Sequence, residues 1–138
     1  MTLLLSATLK AAMLDGVESF LNTSGTATLT VYQGNTALCV FNFASTPLGS
    51  AVADSIVAGS MPVSNTGTAV VGVANLFKVV SETSVLGITG TISAIGGGGD
   101  IEVPSVAVTA AATQKMNSFV LRMANNGALT VQSSLTLV

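Results

Sequence analysis

At Gly25 the hydrophobic pattern of this chain changes period, and that change limits the folds open to it. Before Gly25, Leu5, Leu9, Met13, Val17 and Phe20 or Leu21 recur at helical spacing, while Lys10, Asp15, Glu18 and Ser19 fall largely on the other side. The spacing predicts one amphipathic helix over residues 3–22. Thr2 is placed to cap its start and Asn22-Thr23-Ser24-Gly25 to stop it, with Gly16 as a weak point. After Gly25 the period is two. Thr26 to Tyr32 alternates polar and apolar, and Gln33-Gly34-Asn35-Thr36 reads as a turn into a second strand, Leu38 to Ala44.

The rest of the chain continues in short strands. Residues 45–50 carry Pro47 and Gly49 and read as a loop, and 51–58 fit a short strand or a helical turn equally. Residues 61–66 read as loop. Thr68 to Ala74 and Leu76 to Ser81 read as strands, or as one strand bent near Gly72 or Asn75. Leu86 to Ile95 is another, followed by a flexible glycine loop at 96–99, then 101–103 and 105–109 around Pro104; residues 110–115 are ambiguous. The strongest local signal comes last: Asn125-Asn126-Gly127 separates two alternating runs, 117–124 and 128–137, and predicts a β-hairpin. One helix and about eight closely spaced strands, with no βαβ alternation, give a mainly β class. The expected architecture is an antiparallel β-sandwich or jelly-roll-like single domain over 1–138 with one N-terminal helix.

Composition then narrows function. Charged residues are only 7% of 138 positions, against about a quarter in ordinary soluble domains. Such a surface offers little to keep copies apart and points to a chain packed against itself or a larger assembly. Lys10, Lys78, Lys115 and Arg122 are the only cations and are scattered, which argues against nucleic-acid binding. The charge-free stretches 19–53 and 55–77 are broken by Gly, Pro, Asn, Ser and Thr, so neither supplies the roughly 20 apolar residues of a spanning helix. The N-terminus has no basic region of a signal peptide, and a single Lys10 is too little for a membrane-surface helix.

Catalytic chemistry has few candidates. With no His, Ser and Thr nucleophiles would need Lys or a carboxylate as base, and the Lys78/Ser81 and Lys115/Ser118 pairs have the wrong order for a Ser-x-x-Lys motif. Cys39 stands alone in an apolar run with no nearby cation and reads as a buried small hydrophobe. Gly96 to Gly99 leads into Asp100-Ile101-Glu102, an acidic strand that would repel phosphate. Asp100 and Glu102 alone are too few oxygens for calcium and read as a solvated edge. Asn22-Thr23-Ser24 matches a glycosylation acceptor by chance, and the Thr26, Thr28, Thr30 ladder is the polar side of a half-buried strand. No catalytic, cofactor or metal residue is expected.

Several short motifs fall in the order found in a loose family of small tailed-bacteriophage virion proteins. They are Leu29-Thr30-Val31-Tyr32-Gln33-Gly34, then Gly67-Thr68-Ala69, then Phe77-Lys78, then the glycine loop running into Ile101. The chain resembles that family over most of residues 3–105. The resemblance implies a capsid- or tail-associated structural protein with no catalytic residues to carry over. The expectation is a capsid decoration or cement protein on the virion surface, assembled in the host cytoplasm. It would bind the major capsid protein or other virion proteins as a homo-oligomer, a trimer above all. A tail, baseplate or fibre component, or an adhesin- or pilin-like subunit, is the alternative. Termini and long loops are where a small sandwich reaches its neighbours, so the expected contacts are Leu3, Leu4 and Leu5, the loop Gly96, Gly97, Gly98 and Gly99, and Leu137 and Val138.

Overall fold

The structure, a computed structural model, describes residues 3–21, 27–43, 51–81 and 85–138. The expected cap at Thr2, the Asn22 to Gly25 stop with its glycosylation match, and the 45–50 loop lie outside them. The protein is mainly β with one N-terminal helix, and its antiparallel-rich sheet curls into a sandwich-like domain.

The helix α1 spans Ala7–Leu21, a shorter element than residues 3–22. Ser6 is the reason: its hydroxyl oxygen accepts the Leu9 N–H at 3.1 Å, satisfying one of the donors a helix start leaves open. Leu3, Leu4 and Leu5 therefore precede the helix.

Strands β1 (Thr28–Gln33) and β2 (Thr36–Asn42) form the expected first hairpin around Gly34, which takes a φ of +57°. Strands β3 (Ser55–Val57) and β4 (Val63–Thr66) follow. A two-residue strand β5 (Gly72–Val73) precedes β6 (Leu76–Val80) and the long β7 (Leu86–Ala94). Then come β8 (Ile101–Val103), β9 (Ala107–Val108), β10 (Lys115–Met123) and β11 (Leu129–Thr136). The β10–β11 hairpin turns at 124–128 with Gly127 at φ +87°, as its Asn-Gly signal requires. The strand count among the described residues is eleven rather than about eight, because bridging segments of two to four residues carry too little pattern to read.

The main sheet runs β11-β10-β4-β2-β1-β6-β7-β8, with β3 also on β10 and β5 paired only to β9. Residues 63–66, expected as loop, are the strand that joins the sheet's two halves. On one side β4 pairs with β2 (Phe41↔Asn65), on the other with β10 (Met116↔Val63). Its polar composition hides it. Asn65 is held by its setting, its side-chain oxygen accepting the Gln114 N–H at 2.9 Å and its amide donating to Gly67 O at 3.0 Å.

The sheet curls until β8 lies beside β11. The enclosed core is one cluster that includes Phe41, Phe77 and Phe119, Leu14 and Leu21 from the helix, and Leu135 and Leu137 from the C-terminal end. Phe43 meets Phe119 edge-to-face at 5.1 Å, the favoured aromatic geometry. Gly90 stands opposite Phe77 and lets that ring lie over β7, where a Cβ would come within 2.6 Å of it.

One pair departs from the antiparallel expectation: β7 and β8 run parallel, Ile92 opposite Ile101. Parallel neighbours normally need a crossover of about a dozen residues. Here six residues, 95–100, do it, because the chain folds back along β7 itself. The four glycines make that path possible. Gly96 (φ +89°) and Gly98 (φ +79°) take the left-handed backbone, while a Cβ on Gly97 or Gly99 would fall within 2.8 Å of Ser93. Hydrogen bonds then fix the loop. Gly99 N–H donates to Ser93 Oγ at 2.9 Å, and Thr91 N–H and hydroxyl donate to Asp100 Oδ2 at 2.8 and 3.1 Å. Gly96 N–H donates to the Glu102 carboxylate. The segment read from sequence as a flexible loop is a bonded crossover, and the two acids read as a solvated edge are its staples.

Candidate interaction surface

The expected contact residues fall in three separate places. Leu3 and Leu4 are 72% and 70% exposed beside the β10–β11 turn, where Leu5 N–H donates to Asn125 O at 2.6 Å. The glycine loop lies at the start of β8, partway along the sandwich. The C-terminal residues sit at the other end of β11. There Leu137 is buried in the core, which removes it from any surface, and the half-exposed Val138 is clamped. Its N–H donates to Gln114 Oε1 and its carbonyl accepts from Gln114 Nε2, both at 2.6 Å. Gln114 is itself fully buried and also donates to Thr109 O and Ala112 O, a satisfied polar group in a stretch whose sequence pattern was undecided.

The surface that stands out is on α1. Leu14 and Leu21 are the fully buried positions, with Val17 half-buried between them. Leu9, Met13 and Phe20, on the apolar stripe read from sequence as packing on the chain's own sheet or on a neighbouring subunit, are exposed. The charges turn the other way. Lys10 is buried, its ammonium donating to Asn125 Oδ1 at 2.8 Å, and the half-buried Asp15 accepts the Ala51 N–H at 2.8 Å. Two apolar stripes satisfy helical spacing on this segment, and periodicity alone could not choose between them. In the structure the stripe of Leu14 and Leu21 enters the core, and residues 125 and 51 bond Lys10 and Asp15.

The result is a helix with one apolar stripe in the core and a second on its outer face. Its exposed positions are Leu9, Met13, Gly16 and Phe20, flanked by Ala7, Thr8, Ala12 and Ser19, and none is charged. A surface helix ordinarily puts charge on its outer face. Between α1 and the strand ends lies an open groove of about 390 Å³, walled by Met13, Gly16, Val17 and Phe20 on one side and Leu86, Gly87, Ile88 and Leu129 on the other. Gly87 has the Phe20 ring above it; a Cβ there would stand 2.8 Å from the ring. No ionisable side chain lines the groove, so it offers apolar contact and no acid–base chemistry.

Elsewhere the chemistry is sparse. Among the described residues no three of His, Cys, Asp and Glu group closely enough to hold a metal ion, and no helix is long and apolar enough to cross a membrane. Cys39 is buried in β2, and burial pushes its thiol up to about 11. Lys78 lies 4.8 Å from the Tyr32 ring centre, a cation–π contact across β1 and β6. Arg122 and Asp54 form an exposed ion pair at 3.9 Å, a geometry that contributes little. Comparison with known protein families, curated proteins and solved structures returns no match.

Proposed function

We propose that the protein is a virion structural subunit, a decoration or cement protein that braces a bacteriophage shell through protein–protein contacts. The observation that carries this reading is the outer face of α1, charge-free and apolar beside an apolar groove, in a chain with 7% charged residues. Apolar surface exposed in this way is stabilised when another protein covers it, at roughly 25 cal/mol per Å² before the cost of association. Many weak contacts repeated by shell symmetry add to a firm attachment. The order of short motifs shared with small tailed-phage virion proteins supports the same reading.

The test is immunogold labelling of gradient-purified particles from cells carrying the gene, with an antibody to this chain. Label distributed over the shells supports the proposal. Label confined to tails or to the cell surface, or absent from particles, overturns it.

A further inference from the structure

We infer that the β10–β11 turn is a site of spontaneous covalent modification: Asn126 cyclises onto the Gly127 nitrogen and opens to isoaspartate, and the altered turn lets go of the N-terminal side of α1. The site belongs to the folded chain itself and needs no shell partner.

The hairpin demands the very glycine that makes Asn126 labile. Gly127 takes a φ of +87°, a backbone that residues with side chains rarely adopt, and its N–H donates to Ala124 O at 2.9 Å to close the turn. Glycine has no Cβ, so nothing shields its nitrogen from the side chain of the residue before it. Asn126 is exposed at the tip of the hairpin, where water has access and backbone bonds open most readily. Its Oδ1 accepts the Ala128 N–H at 3.0 Å, which folds the carboxamide back along the chain toward the Gly127 peptide. The same N–H is placed to stabilise negative charge as it develops on Oδ1.

Water is the only co-reactant. The Gly127 amide nitrogen loses its proton and attacks Asn126 Cγ, closing a succinimide ring. The oxyanion on Oδ1 collapses, the Cγ–Nδ2 bond breaks, and ammonia leaves with the proton. Water then opens the ring, at Cγ to give aspartate or at the backbone carbonyl carbon to give isoaspartate. No other described asparagine precedes a glycine. Asn117 precedes Ser118 within β10, and its amide is held by Ser134 Oγ and Thr136 Oγ1. Asn125 precedes Asn126, and its Oδ1 is occupied by the Lys10 ammonium at 2.8 Å.

The turn also holds the start of the chain. Asn125 O accepts the Leu5 N–H at 2.6 Å, and Asn125 Oδ1 accepts from the buried Lys10. Isoaspartate routes the backbone through Cβ and Cγ, which lengthens the turn by one bond and leaves a new carboxylate on it. The turn is closed at its base by the Ala124 N–H donating to Ala128 O at 2.8 Å. A longer path between those two residues displaces Asn125, and Leu5 and Lys10 lose the partner that both share.

The experiment ages the full chain at mildly alkaline pH and then digests it with trypsin in denaturant. Cleavage after Arg122 leaves residues 123–138 as one peptide, in which isoaspartate is read by mass and by isoaspartyl methyltransferase labelling. Conversion at Asn126 is expected to run about tenfold faster than at Asn117. It is expected to run slower than in a synthetic peptide of residues 123–138, because in the fold Gly127 N–H must first leave Ala124 O. A folded chain that shows no conversion after the peptide is consumed, or one that converts at Asn117 as fast as at Asn126, overturns the site. Brief trypsin treatment without denaturant then reads cleavage after Lys10, which burial protects in the fresh protein. That cleavage is expected to rise about fivefold in the aged parent and to stay level in Asn126→Gln aged beside it. Equal cleavage in fresh and converted parent, or the same rise in Asn126→Gln, overturns the link from the turn to α1.

Discussion

Gly99→Ala is the substitution that best tests how the β7–β8 crossover is built. The added Cβ would lie 2.8 Å from Ser93 N and 3.1 Å from Ile92 C, both backbone atoms of β7 that no rotamer change can move. The loop must shift instead. That shift breaks the Gly99 N–H to Ser93 Oγ bond at 2.9 Å and loosens the Thr91 N–H to Asp100 Oδ2 bond at 2.8 Å. A neutral bond contributes about 1 kcal/mol, and one to a carboxylate about 1.5–3, discounted here because the site is exposed. The expected loss is about 2–4 kcal/mol, a large part of the 5–15 kcal/mol typical of a domain. For a chain of this size that is a fall in melting temperature of about 10 °C. Gly98→Ala is the control. Its Cβ would meet nothing within 4 Å, so only the left-handed penalty at φ +79° remains, about 1–2 kcal/mol. Urea unfolding followed by far-ultraviolet circular dichroism gives both values. If Gly99→Ala costs no more than Gly98→Ala, close packing does not limit the crossover and the reasoning is wrong.

Gln114→Leu removes both bonds to Val138 and those to the Thr109 and Ala112 carbonyls, so a loss of about 3 kcal/mol is expected in the same unfolding assay. Leu137→Ala should cost about 2–5 kcal/mol as a core truncation, whereas Leu3→Ser with Leu4→Ser should change stability by no more than about 1 kcal/mol; equal effects would refute the burial contrast. Cys39 should resist a thiol reagent near pH 8 in the native protein and react fully in denaturant. Burial raises its folded pKa to about 11, above the ordinary value of 9.0. The neutral thiol's contribution to stability is therefore complete below about pH 9 and lost as pH rises through about 11. Unfolding at pH 8 and 10.5 should show a smaller alkaline loss for Cys39→Ala than for the parent, and equal losses would exclude Cys39 as the cause.

Local chemistry made several elements legible in the chain alone. The change of period at Gly25 separates helix from strands, and the Gly34-Asn35 and Asn126-Gly127 turns mark two hairpins that the backbone forms at those places. These signals are short-range: alternation and positive-φ residues act within a few positions. What lay beyond them depends on partners distant in sequence. Strand β4 is polar and four residues long, and it exists because β2 and β10 bond it from both sides. The glycine run reads as slack until β7 lies against it. The helix carries two apolar stripes, and its facing follows from the core that takes Leu14 and Leu21 and from the bonds of Lys10 to Asn125 and of Asp15 to Ala51. The candidate surface belongs to that second kind: its residues are plain in the sequence, but which of them face outward follows from contacts 36 and 115 positions away, where no local pattern reaches.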